Sequence, residues 1–573
     1  MNPTLKRWQI DPEITPEADL ALQNFDPILR QILFNRGYAT EAETSRFLLA
    51  IPDFDTDPFQ LKDMHAAVER ITTALQEKEA MAIYGDYDVD GVSATALLVL
   101  LLQALGGQVQ GYIPNRFEEG YGVNKEALTT LQSQAVRLVI TVDCGIRSLP
   151  EAEHAHHLGL DLIITDHHHP SDELPIALAI INPKQPLDPY RDKDLAGVGL
   201  AYKLGDALLQ HLRKIGYPVP QEVKIEDYLD LVALGTVADL APLVGENRAI
   251  VRAGLKVIQT NPRQGMHSLM GVAGVKADKI VASDIGFMLG PRLNAAGRLE
   301  SALASLDLLT TSSIAEAGLL AQQLDNQNRE RQKVTQIIQA QAETLALAQD
   351  PQAFLLLAAD PDFNPGVIGL AASRLTDLYY RPAIVAYQGQ EFTRGSCRSI
   401  PEFHITDALD QCADLLEHHG GHAAAAGFTV RNERLPELFT RLQKIAHQKL
   451  SQLPLTPTLH ADIEVSLSDL QPSLLDELEG LQPTGYGNPQ ATFVSRNLKV
   501  TGKRAVGRDG AHLKLTVTNG HVTFDAIAFR QGGWFSHLPE RVDLLYTFEK
   551  NEYNGWITLQ LNVRDIKPAG TPD

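Results

Sequence analysis

Cysteine is nearly absent from these 573 residues. Cys144, Cys397 and Cys412 stand apart with no CxxC pair, which excludes a disulfide framework and a cysteine-rich zinc site. Long apolar runs are missing too. The most apolar stretch, residues 94–105, includes Thr95 and Gln103 and falls well short of the roughly 20 residues that cross a bilayer. The N-terminus (MNPTLKRWQIDPEI) has no apolar core of the kind a secretory signal needs. These absences point to a reducing, cytoplasmic setting and no membrane role. Positive charge is in deficit, with 50 Lys and Arg against 71 Asp and Glu and a net charge of −21. The average surface therefore disfavours nucleic acid, because phosphate contacts rest on Lys and Arg. One window departs from that average. Between residues 496 and 530, Arg496, Lys499, Lys503, Arg504, Arg508, Lys514 and Arg530 stand against Asp509 and Asp525 alone. It reads either as a solvated strand face or as a surface that tracks phosphates. No P-loop, GxSxG elbow or HExxH helix occurs.

What is present is ordinary globular composition, 44% hydrophobic and 21% charged, in a chain too long for one core. Residues 1–49 read as an N-terminal helical extension. In residues 50–305, short apolar strands alternate with helices: MAIY (81–84), RLVITV (137–142), DLIIT (161–165) and ALAII (177–181). Such strands imply a parallel sheet covered on both faces. Residues 306–350 read as a connector helix, opened by a Ser313-x-x-Glu316 capping box and with a polar, exposed middle at 324–333. A smaller α/β unit follows over 351–452, with strands FLLLAA and PAIVAY. Beyond Pro454 and Pro457 the pattern becomes strand-rich over 455–568. Asn519-Gly520 and Asn554-Gly555 mark hairpin turns, and an OB-like β-barrel is expected. The fold class is thus α/β and multidomain.

The strongest local signal is GDYDVDG (85–91), where Asp86, Asp88 and Asp90 follow an apolar strand at every second position and precede an apolar helix. Carboxylates this close repel one another unless cations neutralise them. Helix capping accounts for one of the three. An EF-hand is excluded, because the twelfth loop position is Leu97 rather than Glu and a strand leads in. The arrangement then recurs: Asp143 follows RLVITV, Asp166-His167-His168-His169 follows DLIIT, and Asp239 follows the helical run YLDLVALGTVA. In an open parallel sheet, ligands bind beyond the carboxyl ends of the strands. Asp88, Asp90, Asp143 and His167 therefore belong on one edge. Carboxylate and imidazole without thiolate suit Mn²⁺ or Mg²⁺. The ligands suffice for two ions sharing one carboxylate, the arrangement that serves in-line phosphoryl displacement.

With these residues the chain resembles the DHH phosphoesterase superfamily, through GDYDVDG, TVDCGI (141–146), TDHHH (165–169) and GTVADLAPL (235–243). Further blocks are similar to its RecJ branch: IPNRFEEGYG, INPK, LAGVG, PRLNAAGRL, GVIGLAASRL, RGSCRSIPEFHITDAL, GGHAAAAGF and GYGNPQATF. The resemblance implies DHH and DHHA1 lobes. It makes Asp88, Asp90, Asp143, His167 and Asp239 metal ligands, with Asp143 bridging and Asp86 as a further candidate. Asp166 and His168 become supporting or phosphate-contacting groups. Arg116, Ser396 and Arg398 match positions that hold a 5′-terminal phosphate, suited by an Arg fork plus a hydroxyl. Asn294 and Arg298 would line the strand's path, and Arg374 would touch its backbone. Gly420, Gly421 and His422 would present backbone N–H groups to a phosphate at a helix start, with His422 facing the scissile group. Departures from the family pattern are Cys144 for a frequent Asn, Glu402 for Gly and Thr484 for Phe.

The activity so implied is 5′→3′ digestion of single-stranded DNA to 5′-mononucleotides in recombination and repair, by a monomer with two Mn²⁺ or Mg²⁺ ions. The strand would carry a 5′-phosphate, and partners would be single-strand-binding protein and a RecQ-type helicase. Two alternatives stand beside it. One is a phosphodiesterase of short oligonucleotides or cyclic dinucleotides, which the strand-rich C-terminal region disfavours. The other is an inactive DNA-binding scaffold, which the complete set of carboxylates disfavours.

Overall fold

A computed structural model describes residues 6–115, 119–120, 122–299, 301–553 and 555–572. The chain forms two compact units: residues 1–325 with 459–573, and residues 326–458. The N-terminal segment holds a short strand, β1 (Arg7–Ile10), as well as three helices, Pro16–Ala21, Pro27–Asn35 and Glu41–Leu49. Leu29, Ile32, Leu33 and Phe47 of those helices share a core with the C-terminal barrel.

The parallel sheet of the larger unit comprises β2 (Ala80–Gly85), β3 (Gln108–Tyr112), β4 (Val136–Val142), β5 (Asp161–Thr165) and β6 (Ala179–Ile181), in the order β3-β2-β4-β5-β6. Its continuous apolar strands follow from burial on both faces. Met81, Ile83, Leu138, Ile140 and Ile163 point into one core; Ala82, Tyr84, Val139, Leu162 and Ile164 point into another. The edge strand β3 carries no apolar signature, because QVQGY is polar at alternate positions and only half covered. The apolar run at 94–105 lies on helix Val89–Ala104, buried over most of its circumference like helix Leu229–Ala238. Among the described residues, no helix is long and apolar enough to cross a membrane.

Helix Ile314–Gln349 starts where the sequence placed it. Ser313 Oγ accepts the Glu316 N–H at 3.3 Å, and the Glu316 carboxylate takes the Thr311 hydroxyl rather than closing the capping box. Its polar middle is not exposed throughout: Asp325 and Asn328 are buried, Asp325 against Arg292 Nε at 3.0 Å. The smaller unit has a mixed sheet of β7 (Leu356–Asp360), β8 (Ala383–Gln388), β9 (Phe392–Arg398), β10 (Leu416–His422) and β11 (Ala425–Arg431), in the order β10-β11-β9-β8-β7.

β12 (Thr458–Ala461) pairs with β1, and β13 (Ile463–Glu464) runs parallel to the first barrel strand. The barrel itself closes through β14 (Phe493–Val506), β15 (His512–Thr518), β16 (Thr523–Ala528), β18 (Trp556–Pro568), β17 (Arg541–Tyr553) and back to β14. Asn519-Gly520 turns β15 into β16 as its sequence implied, whereas Asn554 lies outside the described residues. The basic window is partly neutralised on this barrel. Arg496 pairs with Glu464 and Asp543, Lys514 with Asp525, while Lys503, Arg504, Arg508 and Arg530 are exposed.

One buried guanidinium fastens the larger unit together. Arg248 donates to the carbonyls of Phe47 (3.0 Å), Gly480 (2.8 Å), Leu481 (2.8 Å) and Pro483 (3.1 Å), and stacks over the Phe47 ring. Helix Gly245–Thr260 is thereby tied to both the N-terminal helices and the approach to the barrel.

Candidate metal centre

Three parallel strands end in the acidic and imidazole residues. β2 leads into Asp86, Asp88 and Asp90, β4 into Asp143, and β5 into Asp166, His167 and His168. Asp88 is the N-cap of helix Val89–Ala104: its Oδ1 accepts the N–H groups of Asp90 (2.9 Å) and Gly91 (3.1 Å). Asp90, 1% exposed, accepts two backbone N–H groups from the start of helix Gly197–Lys214, Gly197 at 2.7 Å and Val198 at 2.8 Å. This contact gives the LAGVG segment its physical role. A Cβ on Gly197 would lie 2.6 Å from Asp143 Cβ, so only glycine fits against the ligand strand. Asp143 itself takes a left-handed backbone (φ 60°), strain of the kind that clusters at functional sites. Asp239 caps the C-terminus of helix Leu229–Ala238, which delivers it from outside the sheet.

These side chains converge. Ligand atoms of Asp90, His167 and Asp239 lie within 4.8 Å of one another, as do those of Asp86, Asp88 and Asp143, and those of Asp143, His167 and His168. Asp143 belongs to two of the groups, and His167 Nε2 stands 3.1 Å from Asp143 Oδ1. Both atoms are buried and neither makes a hydrogen bond. Two unshared lone-pair donors aimed at one point are what a shared cation requires, so the donor set fits divalent metal. The electrostatics agree. Burial and the Asp88 charge raise Asp90 to about 7, and burial with Asp90 and Asp88 raises Asp239 to about 9. Burial and the neighbouring acids lift Asp143 well above the carboxylate range. Burial and His168 depress His167 to about 3, leaving a neutral imidazole ready to ligate. Asp166 holds His168 through its Nδ1 (2.8 Å) and its backbone N–H (3.0 Å), and accepts Ile146 N (2.9 Å).

Asn294 Oδ1 accepts the N–H of Val89 at 3.2 Å, bracing the first acidic loop from helix Gly290–Leu299. Arg298 lies on the same helix, and Arg116 falls outside the described residues. Two residues without an assigned role also stand at this edge. Asn182, fully buried, donates to His168 O (2.9 Å) and accepts Lys184 N (2.8 Å). The INPK block after the last strand was their signal. Cys144 is buried, its Sγ directed to Tyr84 O, and takes no part in the ligand groups.

In the smaller unit, Ser396 and Arg398 share one face of β9, and Arg398 Nη1 reaches Ser396 Oγ at 3.2 Å. A Cβ on Gly369, at the start of helix Ile368–Tyr379, would lie 2.9 Å from Ser396 Oγ and 3.2 Å from Arg398 Nη2. Hydroxyl, guanidinium and the first turn of helix Ile368–Tyr379 thus lie against one another. Burial pushes the Arg398 guanidinium down, and it has no carboxylate partner among the described residues. Glu402 is held by the Tyr380 hydroxyl instead (3.1 Å). Arg374 is exposed on the same helix. Gly420, Gly421 and His422 require a correction. They end β10 and pair across a hairpin with Gly427, Ala426 and Ala425; no helix starts there. Gly421 has φ 145° and a Cβ on it would lie 2.3 Å from Ala425 O, so the glycines serve a tight strand pair, while Ala423 and Ala424 make the turn and Ala425 and Ala426 begin β11.

Comparison with known proteins agrees with this construction. Residues 80–236 match the DHH family N-terminal domain, residues 352–451 the DHHA1 domain, and residues 461–565 the RecJ OB domain. The chain is 38% identical over 566 residues to the single-stranded-DNA-specific exonuclease RecJ of Bacillus subtilis, covering 98% of this chain and 70% of that protein. It is 36% identical over 572 residues to the RecJ of Dickeya dadantii, covering 96% and 98%. The crystal structure of Thermus thermophilus RecJ with Mn²⁺ superimposes with a TM-score of 0.83 at 29% identity, covering 99% of this chain and 80% of that one. The same protein with Mg²⁺ gives 0.77 at 28% identity, covering 99% and 79%. The chain therefore belongs to the RecJ family of metal-dependent, single-stranded-DNA-specific exonucleases.

Proposed function

We propose that this protein digests single-stranded DNA from a 5′-phosphorylated end, releasing 5′-mononucleotides. The observation that carries the reading is the convergence of Asp86, Asp88, Asp90, Asp143, His167 and Asp239 at one sheet edge, with Asp143 common to two ligand groups. Asp90, His167 and Asp239 would hold one Mn²⁺ or Mg²⁺, and Asp86 and Asp88 the other, with Asp143 between them. When bound, the ions stabilise charge on the attacking and leaving oxygens of an in-line displacement.

The remaining roles fall to side chains. Arg398 and Ser396 grip the terminal phosphate, a dianion suited to a guanidinium beside a hydroxyl. His168, oriented by Asp166, donates from its other ring nitrogen to a non-bridging oxygen. Water adds to the phosphorus between the first and second nucleotides, and the 3′-oxygen of the first departs with a proton. The shortened strand again ends in a 5′-phosphate and can be captured anew. Asn294, Arg298 and Arg374 guide the strand, Arg116 is assigned to the terminal phosphate by resemblance, and His422 acts at the scissile group. The barrel contributes phosphate contacts through Lys503, Arg504, Arg508 and Arg530. In this reading residues 50–305 carry the chemistry and 351–452 the terminal-phosphate pocket. The protein works as a cytoplasmic monomer alongside single-strand-binding protein and a RecQ-type helicase.

Digestion of 3′-labelled single and double strands, with and without a 5′-phosphate, in Mn²⁺ and Mg²⁺ tests the proposal. Phosphorylated single strands should shorten step by step while keeping the 3′ label, and only with metal. Release from the 3′ end, or a preference for dinucleotides, would sink it.

A further inference from the structure

Lys184 lies three residues beyond the end of β6, so the chain delivers it to the same sheet edge as the ligand segments after β2, β4 and β5. It is not a loose surface lysine. Asn182 ties its backbone to His168: the amide donates to His168 O and accepts the Lys184 N–H. One buried amide therefore links the lysine to the histidine turn. The Lys184 side chain is 18% exposed, yet its one ion pair among the described residues is 4.0 Å from Asp194, itself 61% exposed. A pair of that length and exposure contributes little.

Charge balance indicates what it is for. Two divalent ions leave five carboxylates (Asp86, Asp88, Asp90, Asp143, Asp239) with one negative charge uncompensated, and a phosphodiester brings another. A compact ammonium on a flexible stem is the group that can meet that oxygen. We propose that Lys184 contacts a non-bridging oxygen of the phosphodiester at the metal centre, as a substrate-binding residue of the exonuclease reaction. The inference rests on the function proposed above.

The test measures binding of 5′-phosphorylated, 3′-fluorescein single strands with phosphorothioate linkages, in Mn²⁺, across a salt series. Lys184→Gln should raise Kd and KM by about tenfold, the effect of losing one charged hydrogen bond. The slope of log K against log salt should become shallower by about 0.7, one phosphate contact on a single strand. Lys184→Arg should keep the wild-type slope. A neutral methylphosphonate at the first linkage should remove the same increment from wild type and nothing more from Lys184→Gln. Wild-type slope and KM in Lys184→Gln would overturn the inference and leave the lysine serving only the carboxylates. Should that variant fail to fold, Lys184→Met, which keeps the stem, is measured in its place. Wild-type protein that binds Mn²⁺ but leaves single strands intact would instead overturn the exonuclease reading itself.

Discussion

Replacing Asp143 by Asn should weaken the enzyme and strengthen the metal-free fold. The side chain is 2% exposed, and its ligand atom lies within 4.8 Å of those of Asp86 and Asp88. Two unit charges at that separation repel by about 3.5 kcal/mol at an effective dielectric near 20. Proton uptake relieves part of this, so neutralisation should stabilise the chelated protein by about 1–4 kcal/mol, the range seen when buried charges are replaced. Metal reverses the order. Ions at a hundred times their Kd add about 2.7 kcal/mol to wild type, which the variant lacking the shared ligand forgoes. Melting curves in EDTA and in Mn²⁺ should therefore cross over: Asp143→Asn melts higher in EDTA and gains little from Mn²⁺. Single-strand cleavage should fall by at least about a hundredfold, since even residues that merely support ligands cost that much. A variant destabilised in EDTA that still binds Mn²⁺ like wild type would refute the shared-ligand geometry.

Arg248→Met removes four charged hydrogen bonds, although Phe47 O keeps the Ala50 N–H and Leu481 O and Pro483 O keep Asn488 Nδ2, so the loss should cost about 3 kcal/mol; urea denaturation showing under 1 kcal/mol would contradict the fastening role. Arg398→Gln should erase the preference for a 5′-phosphorylated over a 5′-hydroxyl strand while leaving Mn²⁺ binding by calorimetry unchanged. Gly421→Ala meets both a positive φ and Ala425 O, so the smaller unit should lose stability, read as earlier proteolysis of residues 326–458.

Much of the centre was legible because its ligands follow short apolar strands, and the period of a parallel sheet places strand ends together. The strand positions of β2, β4 and β5 follow from apolar runs that alternate between two cores. The hairpin at Asn519-Gly520 follows from turn chemistry alone. Elsewhere local sequence was overridden. The GGHAAAAG segment has helical composition but lies as a hairpin, because the pairing of Gly420 with Gly427 and of Gly421 with Ala426 is a tertiary contact that propensity does not encode. β3 carries no apolar signal because an edge strand need not be apolar. Arg248 became a fastening only once two distant segments, at Phe47 and at Gly480–Pro483, came to surround it.

Residue types and their spacing by themselves determined that carboxylates and imidazoles would gather at the ends of parallel strands, since that follows from period and sheet direction. Only the tertiary structure decided which carboxylate serves two ligand groups, that the start of helix Gly197–Lys214 holds Asp90, and that Asn182 links Lys184 to His168. Those relations join residues as far as 107 positions apart through packing and hydrogen bonds, and no local pattern carries information over such a distance.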